Sequence, residues 1–416
     1  MKKIKGGKIM TDKYKEEVIE PGDRASQLAK DICFQSHANC AAVTIVPHSP
    51  DNFRGAVGFI WKKHVLTNLA NYSVKKSTKE IEWTMMEEVE NDGAGGKPQF
   101  FTLVGTPNIF RGLGWEIICM VADDFARTGR MPCVIDNEIN VKSITRDNYP
   151  HFEAMMQGYG AALKQANLVN ITGEVAIMKH SITAFCDTGA NDQLILTWGA
   201  SCLGLAHKDK LIDGSQIKPD MPIVGFWEPG YRCNGGTFFT NLLLRKFGPE
   251  IDKIQNSPQA MSFANALTVP SQSYAKTVCR ILGWKPDGRV KKPLAQIKGI
   301  AHITGGGLNK LKEILPAGIV AHLDNMPDPA PVLRQAQELS WGTDLHLSDA
   351  QAYTTLHGGC GMVLVCSNYA SAAKVIREAV KDGISAQIIG QTAAGFINSS
   401  KVCIMSRFKQ GSTVVL

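Results

Sequence analysis

The sequence predicts an α/β (α+β) protein of two domains. Three observations lead there: extended apolar runs alternate with helix-like segments, a polar stretch containing Gly and Pro interrupts the alternation, and 416 residues at 44% hydrophobic suffice for two cores. In order, EPGDRASQLAKDI reads as a turn entering a helix, with Glu20 and Pro21 at its start. FRGAVGFIWKKHVLTNL, FFTLV and CVIDNEINV read as extended runs, and WEIICMVADDFARTG and HFEAMMQGYGAALKQA as helices. LILTWGASCLGLAH is expected to be a buried strand. The polar segment KDKLIDGSQIKPDM follows it, and PIVGFW then opens a second series of strands and helices. The boundary is placed near residue 209, giving an amino-terminal extension (1–36), a first domain (37–208) and a second (209–416).

Composition narrows the function classes. Eleven cysteines, scattered without CxxC pairs and mostly within apolar runs, suit reduced thiols and indicate neither a disulfide framework nor a zinc site. The opening MKKIKGGKIMTDKYKEE is basic but lacks the apolar stretch of a signal peptide, and nowhere do eighteen apolar residues run together. A cytoplasmic location with no membrane association is the expectation. The net charge of +7 comes without a dominant basic tract and decides nothing alone: nucleic acid is a weak guess and small phosphorylated substrates fit equally well, and the partner expected on the whole is a small molecule, with no nucleic acid.

Five stretches could carry chemistry. In HITGGGLNKLKEILP a strand meets three glycines, Gly305, Gly306 and Gly307, and then a helix with Leu308, Leu311, Ile314 and Leu315 on one face. Glycines in that place suit positive φ or a close ligand, and a helix N-terminus offers N–H groups to an anion; a tight turn without chemical consequence is the plainer reading. NDGAGGKP sets Asp92 and Lys97 around a glycine-rich turn with Gly93 and Gly95. It departs from a Walker A loop in spacing and in Pro98, and a flexible surface turn competes with a phosphate site. MVADDFARTGR places Asp123 and Asp124 about 100° apart on a helix, so at most one shares the buried face. A metal or a salt bridge to Arg127 or Arg130 would satisfy that carboxylate. VNITGEVAIM sets Glu174 beside Gly173 at a strand exit, where a lone Glu is ordinarily just solvated. EPGYRCNGGTFFTNLLLRKFG leads Gly230, Asn234, Gly235 and Gly236 into another helix, an anion site or only a loop. His302 and His357, both near glycines, read as structural unless other groups join them.

The order of these motifs resembles the aminoimidazole ribonucleotide synthetase (phosphoribosylformylglycinamidine cyclo-ligase) family from about Tyr14 to about Phe408. AHITGGGLNKLKEILP and TTLHGGCGMVLV are the most specific parts. NDGAGGK resembles the family's DGVGTK, CMVADDFARTGR its MCVNDIxxxGA, ITGEVAIM its GGETAEM, and EPGYRCNGGTFFTNLLLRK its SSGxHSNGYSLVRK. Four positions depart: Gly96 stands for threonine, Arg232 for a histidine, Thr172 for the first glycine of GGE, and His357 for asparagine.

The resemblance implies a fold in which the amino-terminal sheet pairs into a barrel across a homodimer and the carboxy-terminal mixed sheet is flanked by helices. It assigns residues 37–208 to ATP binding and dimerisation, residues 209–416 to substrate, and 1–36 to an extension that includes an ATP-region segment. It implies ATP and Mg²⁺, with Asp92, Asp124 and Glu174 on the metal and Asp92, Gly93, Gly95 and Lys97 on ATP. Lys97, Asp124 and Lys30 would be the catalytic set. Arg232, Asn234, Gly235, His302, Gly305, Gly306 and Gly307 would face a ribonucleotide. The implied reaction phosphorylates the amide oxygen of formylglycinamidine ribonucleotide and closes the imidazole ring in purine biosynthesis. The alternatives are a related ATP-dependent enzyme with another substrate and a catalytically silent homologue serving as a subunit.

Overall fold

The computed structural model describes residues 20–46, 58–72, 85–207, 211–396, 401–408 and 411–416. The boundary expected near residue 209 lies outside them. The first half runs α1 (Glu20–Ser36), β1 (Val43–Val46), β2 (Gly58–Trp61), α2 (Lys63–Tyr72), β3 (Met85–Gly93), α3 (Pro98–Val104), α4 (Phe110–Ala126), β4 (Met131–Val141), α5 (Tyr149–Ala166), β5 (Val169–Ile177) and β6 (Leu196–His207). It continues through β7 (Pro222–Trp227), α6 (Gly236–Phe247), α7 (Ile251–Gln255), α8 (Pro258–Leu267), α9 (Ala275–Ile281), β8 (Ile297–His302) and β9 (Ile319–Leu323). It closes with α10 (Pro331–Ser340), α11 (Asp349–Thr354), β10 (Cys360–Cys366), α12 (Tyr369–Lys381), β11 (Ala386–Ala394), β12 (Val402–Met405) and β13 (Thr413–Val415).

Two main sheets follow. The first has four strands in the order β3-β6-β4-β5, the second seven in the order β13-β12-β9-β11-β7-β10-β8, and β1 and β2 form a small antiparallel ribbon. The seven-stranded sheet is mixed, since β12 runs parallel to β9 while its other pairs are antiparallel. In the four-stranded sheet, β4 and β5 run parallel and the connection between them is α5. A crossover of this length is what parallel pairing requires.

Several sequence expectations change. FFTLV is helical, as α3: Pro98 occupies the first helical turn, where its missing N–H costs nothing, and Gly105 closes the helix at φ 67°. KKHVLTNL contributes α2 rather than extended chain. Residues Gly307–Glu313 form a short 3₁₀-helix, not an α-helix, although Leu308 and Leu311 are buried on one face as expected.

Helix α1 lies along the β5 side of the four-stranded sheet. Ser36 Oγ accepts from Asn170 N–H at 2.8 Å and Cys33 Sγ donates to Asn170 O at 3.0 Å. The apolar cores do not separate at the sheet boundary. One cluster joins Ile117, Val121 and Leu205 to Val224, Phe226 and Val278, and another joins Phe100 and Leu103 to Phe239 and Leu311. The two halves therefore pack as one body, and that packing holds the loops of both sheets in register at the site. Among the described residues no helix is long and apolar enough to cross a membrane.

Candidate active site at the junction of the two sheets

The end of β3 delivers Asp92 and Gly93, α4 delivers Asp123 and Asp124, β8 ends on His302, and the loop from Glu228 to Gly235 leaves β7 for α6. These segments meet. Gly95 turns at φ 53°, and a Cβ there would lie 2.7 Å from Cys233 O. Its neighbour Gly96 abuts Gly236, with a Cβ position 3.5 Å from Gly236 Cα. At Gly95 the positive φ and the short approach to Cys233 O require glycine, so the pairing of the NDGAGGK turn with the CNGG turn has a steric cause there, whereas a Cβ at Gly96 would make an ordinary contact with Gly236 Cα. Asn234 Oδ1 lies 3.4 Å from where a Gly305 Cβ would be, which brings the third glycine turn to the same place. Gly305 and Gly306 are exposed there, whereas Gly307 is buried against Tyr353 O and Leu356 O.

Asp92 and Asp124 face this junction close enough for their charges to interact. Burial, with the charge of Asp124 adding to it, raises the Asp92 carboxyl above its usual range, and the Gly93 N–H at 2.7 Å partly opposes the shift. For Asp124 burial also works against ionisation. His302 outweighs it, donating from Nδ1 to Oδ1 at 2.8 Å, and with Arg127 at 3.1 Å it holds the carboxyl below the usual range. The second oxygens of Asp92 and Asp124 accept no hydrogen bond from a described residue. Two hard carboxylate oxygens facing an open glycine turn fit a magnesium ion that takes its other ligands from water and phosphate. No group of three or more Asp, Glu, His or Cys among the described residues could hold a metal unaided.

Three expected site residues, Lys97, Arg232 and His302, are closed off by protein partners. Lys97 is fully buried; its Nζ pairs with Glu116 at 2.7 Å, donates to Val269 O at 2.8 Å and lies 4.9 Å from the centre of the Tyr231 ring. This ammonium is neutralised in the interior by Glu116 and does not reach the open glycine turn where the expected phosphate role would need it. Arg232, expected to clamp substrate, is 0% exposed. Its Nη1 donates to Glu228 Oε2 at 2.8 Å and Gln272 O at 2.7 Å, its Nη2 to Asp123 Oδ2 at 2.6 Å and Cys119 O at 3.1 Å, and its Nε to His302 Nε2 at 3.1 Å. All five N–H donors are committed to protein atoms. Burial alone opposes that charge, but Glu228 and Asp123 outweigh it and keep the guanidinium protonated. His302 is likewise closed to substrate, because Asp124 and Arg232 occupy both of its nitrogens.

Glu174 and Lys30 do not join the cluster within one chain. Glu174 sits inside β5 rather than at its exit, exposed and paired across β4 to Glu138, which pairs in turn with Gly199 and through it with Gly93. Three strand spacings separate β5 from β3, about 14 Å. Glu174 also shares the sheet face of Gly93, opposite to that of Asp92, because neighbouring residues alternate across the pleat. Lys30 is on α1, beside β5, with its Nζ 5.7 Å from the centre of the Phe34 ring.

Of the buried partners beneath the cluster the sequence reading named only Asp123, and it offered a metal, Arg127 or Arg130 where the structure has Arg232. Glu116, Asp123, Glu228, Ser271 and Tyr274 hold the floor beneath the cluster. Ser271 donates from N and Oγ to Glu116 at 2.9 and 2.6 Å, and Tyr274 and Ala275 N–H groups donate to Asp123 Oδ1 at 2.8 and 2.6 Å. The signal for Glu116 and Asp123 was a charged residue within an apolar helix, which must find a partner. Nothing local named the partner.

This arrangement defines an α/β protein whose two sheets meet over a pair of aspartates ringed by glycine turns; within it, residues 288–402 match the model of the AIR synthase related protein, C-terminal domain. The phosphoribosylformylglycinamidine cyclo-ligase of Methanocaldococcus jannaschii is 27% identical over 318 residues, 76% of this chain and 80% of that protein. That of Methanococcus vannielii is 27% identical over 304 residues, 72% of this chain and 76% of that protein. Among solved structures, E. coli HypE, a hydrogenase maturation protein, aligns over 94% of this chain and 96% of its own at 14% identity and a TM-score of 0.49. The chain is thus similar to the aminoimidazole ribonucleotide synthetase family, at a divergent level of identity.

Proposed function

We propose that the chain is an ATP-dependent cyclo-ligase that converts formylglycinamidine ribonucleotide to aminoimidazole ribonucleotide. The observation that carries this reading is the convergence of Asp92 and Asp124 with three glycine turns, Gly93–Gly96, Asn234–Gly236 and Gly305–Gly307, on one surface. The curated relatives named as phosphoribosylformylglycinamidine cyclo-ligase support the substrate.

Phosphoryl transfer asks mainly for positioning and charge stabilisation. Asp92 and Asp124 would hold Mg²⁺, which supplies charge neutralisation along the ATP phosphates when bound. The open backbone at Gly93 and Gly95 lets phosphate oxygens approach main-chain N–H groups. Asn234, Gly235, Gly305 and Gly306 form the wall facing the ribonucleotide. In the reaction the substrate amide oxygen takes the γ-phosphoryl group and ADP leaves. A substrate nitrogen then attacks the activated carbon, the ring closes, and phosphate is expelled. The residues from 209 onward would supply the ribonucleotide wall and the first sheet the nucleotide side, in a cytoplasmic enzyme.

A homodimer is part of the reading. Both β3 and β5 are open edges of the four-stranded sheet among the described residues. Two such sheets closing edge to edge would form an eight-stranded barrel and set β5 of one subunit beside β3 of the other. Glu174 and Lys30, remote from Asp92 in one chain, would then lie near the β3 edge of the partner, with Glu174 on the sheet face of Gly93 and reaching Asp92 only round the end of β3.

The test is turnover by the purified chain with Mg-ATP and formylglycinamidine ribonucleotide. ADP, phosphate and aminoimidazole ribonucleotide in equal amounts are expected. ATP hydrolysis indifferent to that ribonucleotide points to a different substrate, and no turnover with intact ATP binding points to a silent subunit.

A further inference from the structure

We propose that Arg232 is a positioning residue: it fixes His302 as the neutral tautomer with its proton on Nδ1, which gives Asp124 one permanent hydrogen-bond donor and sets its orientation. The inference rests on the reading of Asp124 as a magnesium ligand and adds the device that aims it.

The argument is one of donors and acceptors. A guanidinium has five N–H donors and no acceptor, and it does not deprotonate in a protein. Its Nε lies 3.1 Å from His302 Nε2, and its Nη2 also faces that nitrogen. A proton on Nε2 would point N–H at N–H beside a fixed positive charge. Nε2 must therefore present its lone pair, and the single imidazole proton goes to Nδ1, 2.8 Å from Asp124 Oδ1. His302 consequently has no free lone pair with which to act as a base.

The guanidinium is itself held from three sides. Asp123 on α4, Glu228 at the end of β7 and the carbonyls of Cys119 and Gln272 accept its remaining protons. Tyr274 Oη donates to Glu228 Oε2 at 3.0 Å, and the first N–H groups of the α9 turn satisfy Asp123 Oδ1. The backbone points the same way. Arg232 and Cys233 take φ of 63° and 62°, consecutive left-handed values on residues that are not glycine. Such strain persists only where the surroundings enforce it. A neutral imidazole at position 232 would offer a single N–H and could not fill these five acceptors. Arg232 therefore acts through His302 on Asp124 and does not touch the reacting atoms. The departure from the family's histidine brings its own acceptors, Asp123 and Glu228, within this chain.

The experiment is a long-range ¹H–¹⁵N correlation spectrum of the full chain labelled at histidine, without substrate, with His302 assigned by its loss in His302→Gln. The expected result is a protonated, pyrrole-type Nδ1 and a pyridine-type Nε2. A proton on Nε2, or on both nitrogens at neutral pH, overturns the proposal. In Arg232→Lys, where one ammonium replaces the fork, the tautomer signature should give way to an averaged pair and Mn²⁺ affinity, read by electron paramagnetic resonance, should fall about 10–100-fold. A folded Arg232→Lys that keeps both the tautomer and Mn²⁺ affinity reduces Arg232 to a structural charge and overturns the proposal. Should that variant not fold, the spectrum of the unaltered chain still decides. Failure of the cyclo-ligase reading would be distinct: the tautomer would be intact and turnover with the ribonucleotide absent.

Discussion

Lys97 stands where phosphate chemistry was expected, yet its Nζ is sealed against Glu116 at 2.7 Å with both side chains 0% exposed. Removing one member of such a pair leaves the other charged in the interior, which costs about 3–5 kcal/mol. Lys97→Met should therefore lower the denaturant midpoint by that stability, and Lys97→Met with Glu116→Leu should recover most of it. A Lys97→Met protein of unchanged stability that no longer turns over ATP would return Lys97 to the phosphates. His357 makes a second prediction at this scale. It is buried, with Gly359 N–H donating to its Nδ1 at 3.1 Å and its Nε2 at 2.8 Å from Gly230 O, and burial pushes it down to about 4 from an ordinary 6.5. Between those values the unfolded chain binds a proton that the folded chain refuses, so stability is whole above pH 6.5 and drains away as pH falls toward 4. From pH 7 to pH 5 this one group should cost about 2 kcal/mol. Urea midpoints should show His357→Asn losing less over that interval than the parent chain; equal losses would exclude His357 as the source. Both residues were visible in the sequence beside glycines. Their partners were not: Glu116 is nineteen positions from Lys97 and Gly230 over a hundred from His357, separations that only packing closes.

Among the elements, those with a clear period were legible and those set by a neighbour were not. The long helices α4 and α5 and the strands β4, β6 and β7 lie where apolar patterning put them. FFTLV was misread because five apolar residues suit a buried strand or a buried helix equally, and the helix wins through Pro98 and Gly105 at its ends. The triple glycine divides in the same way. Gly307 has φ 57°, and a Cβ there would lie 2.2 Å from Tyr353 O, whereas Gly305 is exposed and meets only Asn234 Oδ1 at 3.4 Å. Gly307→Ala should cost roughly 1–3 kcal/mol from its backbone conformation alone, with the clash adding to it. Gly305→Ala should leave the melting temperature nearly unchanged and raise KM for the ribonucleotide more than it lowers kcat. Thermal unfolding together with steady-state kinetics separates them. If Gly305→Ala melts as early as Gly307→Ala, the turn is a structural joint along its whole length and the substrate wall is elsewhere.

At the scale of the whole molecule, sequence order could suggest that Asp92, Asp124 and Glu174 belong to one site but not that one chain fails to unite them. Register decides that: Gly93, Gly199, Glu138 and Glu174 form a row across four strands, so the carboxylates sit at opposite edges of the sheet. An edge-to-edge dimer would bring the β5 edge of one subunit to the β3 edge of its partner, and a closed two-fold pairing creates two equivalent junctions. Glu174 shares the face of Gly93 rather than that of Asp92, so for each site to draw Asp92 from one chain and Glu174 from the other, the Glu174 side chain would have to reach round the end of β3, which closes at Gly93. Two inactive variants then become complementary. Asp92→Asn and Glu174→Gln homodimers should each be impaired, but after mixing at equal concentration and exchange of subunits, half of the dimers are mixed. In a mixed dimer one junction carries both substitutions and the other carries neither. The mixture should therefore regain about a quarter of the unaltered activity, one intact site in each mixed dimer. Sites confined to single chains would contain one lesion each in every subunit, and mixing would restore nothing. Sedimentation velocity on the same samples reports whether subunits have exchanged, so that a flat activity trace in an exchanged mixture counts against a shared site and in favour of a site completed by Asp92 and Asp124 alone.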